Sequence, residues 1–357
     1  MDILECNLIN LNQKTNSMNK YSFKNDYAEG THERILTALN KTNYIQKEGY
    51  GEDSFCEEAK QAILEKLGDR KSEIHFLSTG TQANLIVISS ILKPYESIIA
   101  PLTGHISVHE TGAIEATGHK INTVETKDGK LRVHDIQLVL DAHQDEHMVK
   151  PRLVYISNTT EIGSIYSKNE IKALSDFCKK NNLYLYVDGA RLGSALMSEK
   201  NDLTLSELAS FVDVFYIGGT KNGALIGEVI VINNEKMKED FRFHLKQKGA
   251  LLAKGRIFGV QFLELFKDDL YFDLAKHANL MASKLAKSIK ELDYKFFTEP
   301  VSNQIFPILP NKLIKKLDKK YGFYIWKKID DNNSVIRLVT SWATKKEFVD
   351  QFISDLN

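Results

Sequence analysis

The stretch FYIGGTKNGALIGEVIVIN (215–233) predicts an apolar strand, a glycine-rich turn that contains Lys221, and a second apolar strand. A lysine in such a turn at the carboxyl end of a strand lies close to a ligand, and the flanking glycines let the backbone approach that ligand. Its amine can form an imine with an aldehyde. A solvated lysine in a β-hairpin explains this stretch equally well when the stretch is taken alone.

Outward from this stretch, helical periodicity alternates with short β-branched or aromatic runs, which is typical of an α/β domain. Residues 52–68, for example, predict a helix that Gly68 can end. The predicted strands are 73–77, 97–101, 119–125, 152–157, 183–188, 213–218 and 228–233.

Two of these strands contain the runs LVYIS (153–157) and VFYI (214–217), which are apolar on both faces. Strands of this kind are typical of a sheet that helices cover on both sides. We therefore predict a three-layer α/β/α domain whose active site lies at the carboxyl ends of the strands.

From about residue 255 the pattern changes to two long amphipathic helices, followed by strand candidates at 304–309 and 334–340. This change predicts a second, smaller domain. Met18 also offers an alternative start of translation within a polar N-terminal stretch. The predicted units are a flexible extension at 1–20, a large domain at 21–254 and a small C-terminal α+β domain at 255–357.

The composition argues against several classes of protein. The 47 basic and 47 acidic residues cancel, so no overall field attracts nucleic acid or an anionic membrane. Cys6, Cys56 and Cys178 have no metal spacing, and their odd number argues against a disulfide framework. The N-terminal stretch has neither a signal-peptide pattern nor a spanning run. We therefore expect a cytoplasmic protein without nucleic-acid or membrane partners.

A second informative stretch is LYLYVDGARLGSA (183–195), in which Asp188 ends an apolar strand. Such a carboxylate can keep a pyridinium nitrogen protonated, which makes the ring an electron sink. Arg191 presents a planar fork that suits a substrate carboxylate. A capping aspartate with an arginine ion pair is the alternative interpretation.

The stretch HFLSTGTQANLIVISSIL (75–92) predicts a strand, a turn that contains Gly80 and Thr81, and a helix. Backbone amides at a helix N-terminus bind phosphate, with help from the helix dipole. The turn lacks the dinucleotide fingerprint and the Walker lysine, so neither a dinucleotide nor a nucleoside triphosphate is favoured. A capped helix start without a ligand explains the same pattern.

Histidines mark two further stretches. His105 follows a predicted strand, and a flat imidazole there can stack on a cofactor ring, although a packed or loop histidine explains it as well. His105 and His109 have the i, i+4 spacing of two metal-binding histidines on a helix, but the motif H-E-x-x-H is absent. The cluster at 141–147 also resembles a metal site, yet its polar surroundings favour a solvated loop. We therefore predict no metal ion.

Taken together, five motifs resemble the threonine aldolase branch of the β-eliminating lyases, which are fold-type I, aminotransferase-like enzymes that use pyridoxal 5′-phosphate (PLP). The resemblance covers nearly the whole chain, in the family's order and approximate spacing. The motifs are GYGED (49–53), STGTQAN (78–84), GHISVHETG (104–112), VDGARLG (187–193) and GGTKNG (218–223).

The resemblance implies a role for each candidate residue. Lys221 forms the Schiff base with PLP, Asp188 pairs with the pyridine nitrogen, and His105 stacks on the ring. In the expected reaction, His105 or a water that it orients takes the proton of the substrate hydroxyl. The residues implied in binding are Gly80 and Thr81 for the phosphate, Arg191 and Arg337 for the substrate carboxylate, and Tyr50 together with Lys246 or Lys254 for the site of a neighbouring subunit. The functional unit is then a homodimer or homotetramer with shared sites.

Two positions depart from the family's pattern. Asn25 stands where many aldolases have a serine that assists carboxylate binding, and Thr160 stands where they have a histidine that acts on the substrate hydroxyl. Asn25 is kept here among the substrate-binding candidates. Both departures lie on the substrate side, whereas the residues implied to hold the cofactor are all present.

The expected reaction is retro-aldol cleavage of a β-hydroxy-α-amino acid, with threonine or allo-threonine giving glycine and acetaldehyde. An alternative is β-elimination or another PLP reaction on a different amino acid, which the changes at Asn25 and Thr160 favour. A third hypothesis is a binding or regulatory protein that keeps the fold without turnover. Retention of Lys221 and Asp188 argues against this third hypothesis.

Overall fold

The computed structural model describes residues 20–68 and 71–356. The predicted flexible extension therefore lies outside the described residues, except for Lys20. Across the described ranges, no helix is both long enough and apolar enough to cross a membrane.

The described residues form strands and helices in alternation along most of the chain. The strands are β1 (Tyr21–Ser22), β2 (Glu73–Leu77), β3 (Glu96–Pro101), β4 (Ile121–Val124), β5 (Lys150–Ser157), β6 (Tyr184–Asp188), β7 (Val214–Gly218), β8 (Glu228–Ile232), β9 (Gln304–Ile305), β10 (Ile308–Pro310), β11 (Tyr321–Gly322), β12 (Tyr324–Lys328) and β13 (Asn333–Val339). The helices are α1 (Glu33–Thr42), α2 (Ser54–Leu67), α3 (Gly80–Ile91), α4 (His105–Val108), α5 (Val133–Asp141), α6 (Lys168–Lys180), α7 (Leu192–Leu196), α8 (Leu205–Phe211), α9 (Phe241–Gln247), α10 (Arg256–Phe266), α11 (Leu270–Glu291), α12 (Asn311–Leu317) and α13 (Lys346–Leu356).

Local sequence signals fix several helix ends. Asp53 caps α2 by accepting the Cys56 N–H at 3.0 Å, and Gly68 ends the same helix in the left-handed conformation with φ of 63°. At α6, Ser167 and Glu170 form a capping box. These ends lie within a few residues of the predicted ones, because capping side chains are visible in the sequence.

The main sheet has seven strands in the order β2-β8-β7-β6-β5-β3-β4. Strand β8 is antiparallel to both of its neighbours, while the pairings β7-β6, β6-β5, β5-β3 and β3-β4 are parallel. Every strand except β8 therefore ends at one edge of the sheet, and β8 begins there. This edge gathers the loops that follow β2, β3, β5, β6 and β7.

Both faces of the sheet are covered, as the apolar runs predict. In β5, Leu153 and Tyr155 face one core, which includes α3 and α9, while Val154 and Ile156 face the other, which includes α2, α6, α8 and α10. Side chains alternate in this way because a strand has a period of two residues. The predicted three-layer α/β/α architecture is confirmed.

The C-terminal region contains a four-stranded antiparallel sheet in the order β10-β13-β12, in which β9 also pairs with β13. The prediction of one strand at 304–309 is wrong in detail, since the chain forms two short strands on either side of Pro307. Proline has no N–H to donate to a ladder, which interrupts the pairing at that point. The predicted strand at 334–340 is found at Asn333–Val339.

The predicted domain boundary at residues 254 and 255 stays a prediction, but the packing beside it can be described. Helix α10 contributes Phe258 and Phe262 to the core of the main sheet. Near the N-terminus, β1 pairs in parallel with β11, and Phe23 packs in the C-terminal core. The chain therefore enters through the C-terminal unit before it reaches the main sheet.

Helix α11 connects the two cores. Its first turns place Tyr271 and Leu274 in the core of the main sheet, and its later turns place Leu285 and Ile289 in the C-terminal core. A continuous helix of 22 residues spans roughly 33 Å at 1.5 Å per residue. One helix is therefore part of both cores.

Leu285→Ala is expected to lower the free energy of unfolding by about 3 kcal/mol, because a fully buried leucine leaves a cavity when it is truncated. Chemical denaturation measures this change. Leu280→Ala is the control, since Leu280 lies on the same helix but is 59% exposed, and it is expected to change stability by less than about 0.5 kcal/mol. Equal effects of the two substitutions would contradict the assignment of the C-terminal core.

Candidate active site

A cavity of about 270 Å³ lies at the edge of the main sheet where β2, β3, β6 and β7 end. It brings together four residues that the sequence predicts to act in one site. Its lining includes Gly80, Thr81, His105, Thr220, Lys221 and Glu228. This location agrees with the expectation that the site lies at the carboxyl ends of the strands.

Lys221 lies in a turn at 219–222, within the loop that joins β7 to β8. The turn is closed by the Asn222 N–H, which donates to the Gly219 carbonyl at 2.8 Å. Other parts of the chain also hold the loop. The Asn222 side chain donates to the Tyr271 carbonyl at 2.7 Å, and the Thr31 hydroxyl donates to the Gly223 carbonyl at 2.6 Å. These bonds hold the backbone of Lys221 in one place.

The amine of Lys221 makes no hydrogen bond or ion pair within the described part of the chain. Burial lowers the pKa of Lys221, and the nearby Arg191 guanidinium lowers it further, while Asp26, Glu228 and Asp188 act in the opposite direction. The net direction is downwards. An amine with a lowered pKa is a nucleophile nearer neutral pH.

Asp188 is buried at the end of β6 and accepts hydrogen bonds from three directions. The Tyr155 hydroxyl donates to Oδ2 at 2.6 Å, the Asn84 amide donates to Oδ2 at 3.1 Å, and the Ala190 N–H donates to Oδ1 at 3.0 Å. Burial by itself raises the pKa of Asp188, but His105 and the tyrosine hydroxyls lower it by more. The carboxylate is therefore held ionised.

His105 forms a dyad with the buried Glu110. The distance between His105 Nδ1 and Glu110 Oε1 is 2.7 Å, and the amide of Asn84 donates to the same oxygen at 2.6 Å. Because the Glu110 carboxylate accepts a hydrogen bond, it favours the imidazole tautomer with the proton on Nδ1. Nε2 is then free to accept a proton. Because Asn84 also donates to Asp188, one side chain links the histidine dyad to the carboxylate of β6.

Helix α3 begins at the wall of the cavity. Thr79 caps the helix by accepting the Gln82 N–H at 3.1 Å, whereas the N–H groups of Gly80 and Thr81 have no partner among the described residues. A Cβ atom on Gly80 would lie 2.9 Å from the Tyr216 hydroxyl, so the close packing there requires glycine. The two free amides and the helix dipole form a cradle for an anion.

Arg191 lies beside the cavity but is already paired. Its Nε and one terminal nitrogen donate to the two oxygens of Asp26 at 2.6 and 2.9 Å, and Asn303 donates to Asp26 at 2.9 Å. Burial raises the pKa of Asp26, but the Arg191 guanidinium lowers it by more, so the pair is ionic. Asn25 uses its side chain locally, where it accepts the Tyr27 N–H at 3.1 Å.

Arg337 on β13 lies close enough to Arg191 to feel its charge. Its Nε is buried without a hydrogen-bond partner in the described residues, while a terminal nitrogen donates to the Lys24 carbonyl at 3.1 Å. Burial lowers the pKa of Arg337, and Arg191 lowers it further. A buried donor without a partner, beside a second cation, suits an incoming carboxylate.

Tyr50, Lys246 and Lys254 do not line this cavity. Tyr50 is 43% exposed, and the amine of Lys246 lies 4.5 Å from the centre of its ring. Lys254 is exposed just before α10. Within one chain, these three residues are therefore not brought together with Lys221.

Thr160, the residue that departs from the family's pattern, is buried and faces away from solvent. Its hydroxyl lies 2.7 Å from the Ser164 hydroxyl, which in turn donates to the Asp128 carbonyl at 2.7 Å. Thr160 thus stabilises the loop after β5. The neighbouring Glu161 accepts the His105 N–H at 2.9 Å, and burial raises its pKa.

Sequence reasoning missed Glu228, Asn84 and Tyr155. Glu228 is a carboxylate at the first position of an apolar strand. Asp188 was identified by a similar signal, a carboxylate at the last position of an apolar strand. Asn84 and Tyr155 carry no comparable signal, because a single amide on a helix or a tyrosine in a strand is common. Only the folded chain shows that both donate to Asp188.

A metal ion has no evident site here. Across residues 20–68 and 71–356, no three His, Cys, Asp or Glu side chains lie close enough together to hold one. In the cluster at 141–147, His143 Nδ1 lies 2.8 Å from the Val139 carbonyl, which is a contact within the end of its own helix.

Comparison with known proteins agrees with the fold described above. The model of the β-eliminating lyase family matches residues 27–310, and the chain belongs to this family. Membership implies a PLP-dependent lyase. The chain is 32% identical to the low specificity L-threonine aldolase of a Pseudomonas species over 94% of this chain and 96% of that protein.

Solved structures show the same relationship. The threonine aldolase of Leishmania major has a TM-score of 0.93 and 47% identity, over 94% of this chain and 98% of that one. A serine palmitoyltransferase variant from S. paucimobilis with a bound PLP-myriocin aldimine has a TM-score of 0.71 at 16% identity, over 94% of this chain and 86% of that one. The second likeness concerns the fold alone, and both agree with the fold-type I assignment.

Asp26→Asn is expected to lower the free energy of unfolding by roughly 3 kcal/mol at neutral pH, because it breaks a buried ion pair and leaves Arg191 without its partner. The pKa of Asp26 is lowered in the folded protein, so the pair stabilises the fold above about pH 4 and loses this effect as the pH falls. Wild type and variant should therefore converge in denaturation experiments at acidic pH.

Asp318→Asn is the matched control, since it removes an exposed carboxylate that pairs with Lys20 at 3.3 Å. Such pairs contribute little to stability. A difference between wild type and Asp26→Asn that does not shrink on acidification would contradict the ionic character of the Asp26–Arg191 pair.

Proposed function

We propose that this protein cleaves threonine or allo-threonine into glycine and acetaldehyde with PLP as its cofactor. The observation that carries the proposal is the joint position of Lys221, the free amides of Gly80 and Thr81, and His105 around one cavity. The similarity of this chain to threonine aldolases over nearly its whole length supports the choice of reaction.

The residues present fit PLP. The free amides of Gly80 and Thr81 suit its phosphate, the amine of Lys221 suits its carbonyl carbon, and the ionised Asp188 suits its pyridinium nitrogen. PLP when bound supplies an electron sink for the pair of electrons released at the substrate. Asp188 sustains this role, because its three donors keep it ionised opposite a cation.

His105 is the residue proposed to take the proton of the substrate β-hydroxyl. Glu110 holds its Nδ1 at 2.7 Å, so Nε2 accepts the proton and the buried carboxylate stabilises the imidazolium that forms. Thr160 cannot supply this function, since its hydroxyl is engaged by Ser164. Because threonine replaces the family's histidine at position 160, the pair of His105 and Glu110 is the group proposed to transfer this proton.

The two arginines are proposed to hold the substrate carboxylate. Arg337 offers its unpaired Nε, and Arg191 adds positive charge while Asp26 fixes the plane of its guanidinium. A carboxylate clamped in this way would fix the orientation of the substrate in the cavity. This orientation selects cleavage of the bond between Cα and Cβ.

The assembly is proposed to be a homodimer or homotetramer in which Tyr50 and either Lys246 or Lys254 complete the site of a neighbouring subunit. Their exposure on one chain supports this proposal, as does the exposure of Tyr44 at 93% and Phe243 at 75%. Exposed aromatic residues are typical of surfaces that bind a partner.

A reducing compartment such as the cytoplasm is also proposed. Among the described residues, Cys56 and Cys178 are buried, unpaired thiols. Burial raises the pKa of each to about 12, so both stay protonated and unreactive. Cys6 lies outside the described residues.

Lys221→Ala is expected to abolish the visible absorbance of covalently held PLP and to reduce acetaldehyde release from threonine by about a thousandfold or more, because no other amine among the described residues lines the cavity. Absorbance spectra and a coupled acetaldehyde assay measure both effects. Lys180→Ala, which changes an exposed lysine, is the control and should match the wild type. A wild type that releases no acetaldehyde from either threonine diastereomer would refute the proposed function.

Two substitutions at His105 separate stacking from proton transfer. His105→Phe keeps a flat ring and should retain PLP, but kcat is expected to fall by about 10² to 10⁴ because no group accepts the hydroxyl proton. His105→Ala should lose PLP affinity as well. Steady-state kinetics and PLP titration measure these effects, and a His105→Phe variant with wild-type kcat would assign the proton to another group.

A further inference from the structure

We propose that Tyr324 and Trp326 position the guanidinium of Arg337 so that it can bind the carboxylate of the substrate. The inference rests on the proposed function, in which Arg337 is one of the two groups that hold this carboxylate. Tyr324 and Trp326, the aromatic pair, are positioning residues that act through Arg337 and need no contact with the substrate.

Tyr324 and Arg337 face each other across two strands of the C-terminal sheet. Strands β12 and β13 are antiparallel, and Tyr324 pairs directly with Arg337 in their register. The Cζ atom of Arg337 lies 5.3 Å from the centre of the Tyr324 ring and 5.3 Å from the centre of the Trp326 ring. A cation within about 6 Å of a ring centre is attracted by the negative face of the ring. Both rings therefore attract the guanidinium directly.

A β-bulge brings the second ring to the guanidinium. The register of β12 and β13 shifts between Ile325 and Lys327, so Trp326 is an extra residue on β12. Bulges of this kind redirect a side chain. The Trp326 ring also packs edge-on against Phe306, which is fully buried, with 5.3 Å between the ring centres. Contact with a buried ring fixes Trp326, and through it Arg337.

Arg337 has no carboxylate partner, in contrast to Arg191. Arg191 donates two hydrogen bonds to Asp26, at 2.6 and 2.9 Å. Among residues 20–68 and 71–356, Arg337 forms no ion pair and donates to the Lys24 carbonyl alone, at 3.1 Å. A protein carboxylate at Arg337 would occupy the N–H groups that a ligand needs. The aromatic pair instead stabilises the charge and leaves the buried Nε–H without an acceptor, available to a ligand.

The charges around the aromatic pair favour an anionic ligand. The Lys24 amine lies 5.6 Å from the centre of the Tyr324 ring, so this ring attracts a second cation. Arg191 lies close enough to act on the charge of Arg337, as does Asp26, but Asp26 is already paired with Arg191. A carboxylate bound at Arg337 would offset this excess of positive charge.

The experiment measures how fast phenylglyoxal modifies Arg337 in the full-length protein with PLP and without substrate, with peptide mass spectrometry as the readout. In Tyr324→Ala and in Trp326→Ala, Arg337 is expected to react roughly three- to tenfold faster, because the guanidinium loses a ring that holds it and favours its charged form. Arg191 is the reference within the same molecule, and its rate should stay unchanged because Asp26 holds it.

Two further substitutions at position 324 separate the ring face from apolar packing. Tyr324→Phe keeps the ring and should match the wild type, whereas Tyr324→Leu keeps an apolar side chain without a ring and should resemble Tyr324→Ala. Tyr324 is 46% exposed, so Tyr324→Leu decides the test if Trp326→Ala does not fold. The control is Ile325→Ala, which changes a side chain that is 64% exposed on the opposite face of β12 and should leave the rate unchanged.

Steady-state kinetics with the same variants test the link to the substrate. Tyr324→Ala, Tyr324→Leu and Trp326→Ala are expected to raise KM for threonine roughly three- to tenfold. The change in kcat should be smaller, because the weakened interaction binds the substrate and the transition state alike. Tyr324→Phe should restore the wild-type KM.

Failure of this proposal and failure of the proposed function give different results. If the wild type releases acetaldehyde but Arg337 reacts at an unchanged rate in Tyr324→Ala and Tyr324→Leu, only the role of the aromatic pair is overturned. Equal acceleration of Arg191 and Arg337 in every variant that lacks a ring would overturn it as well. A wild type that releases no acetaldehyde, with faster modification of Arg337 alone in these variants, would support the positioning of Arg337 and refute the proposed function.

Discussion

The burial of an ionised carboxylate at the end of β6 is the constraint on which the site depends. Taking Asp188 out of water costs several kcal/mol unless donors surround it. The donors come from β5, α3 and the turn after β6, so these three elements must meet at one point. Because Asn84 donates to both Asp188 and Glu110, the same requirement also positions His105. One buried charge thereby orders the groups on both sides of the cavity.

Much of this arrangement could be predicted from the sequence, because strands and helix caps have local signals. Short β-branched and aromatic runs between helical segments indicated the seven strands of the main sheet, and Lys221, Asp188 and Gly80 stood out because each occupies a strand end or a turn. The partners of these residues carry no local signal. Tyr155 and Asn84 come from distant parts of the chain, and only the topology of the sheet brings them to Asp188. The pairing of Arg191 with Asp26 could not be predicted from the sequence for the same reason, since 165 positions separate the two residues.

The N-terminal segment contributes more than the sequence indicated. Within a few residues it forms β1 beside β11, buries Phe23 in the C-terminal core and delivers Asp26 to Arg191. Asn303, from the loop before β9, donates to the same carboxylate. The pair of Asp26 and Arg191 is thus the point at which the first residues, the main sheet and the C-terminal unit meet.

Strand β8, which alone runs against its neighbours in the main sheet, has a mechanical consequence. Because β8 runs back along β7, Glu228 lies at the same edge of the sheet as the loop that carries Lys221. The proposed carboxylate clamp is built differently, because Arg191 follows β6 and Arg337 lies on β13 of the C-terminal sheet. The geometry of this clamp therefore depends on both sheets and on the contacts that join them. The amine is thus positioned by the main sheet, whereas the groups proposed to hold the substrate carboxylate come from two sheets.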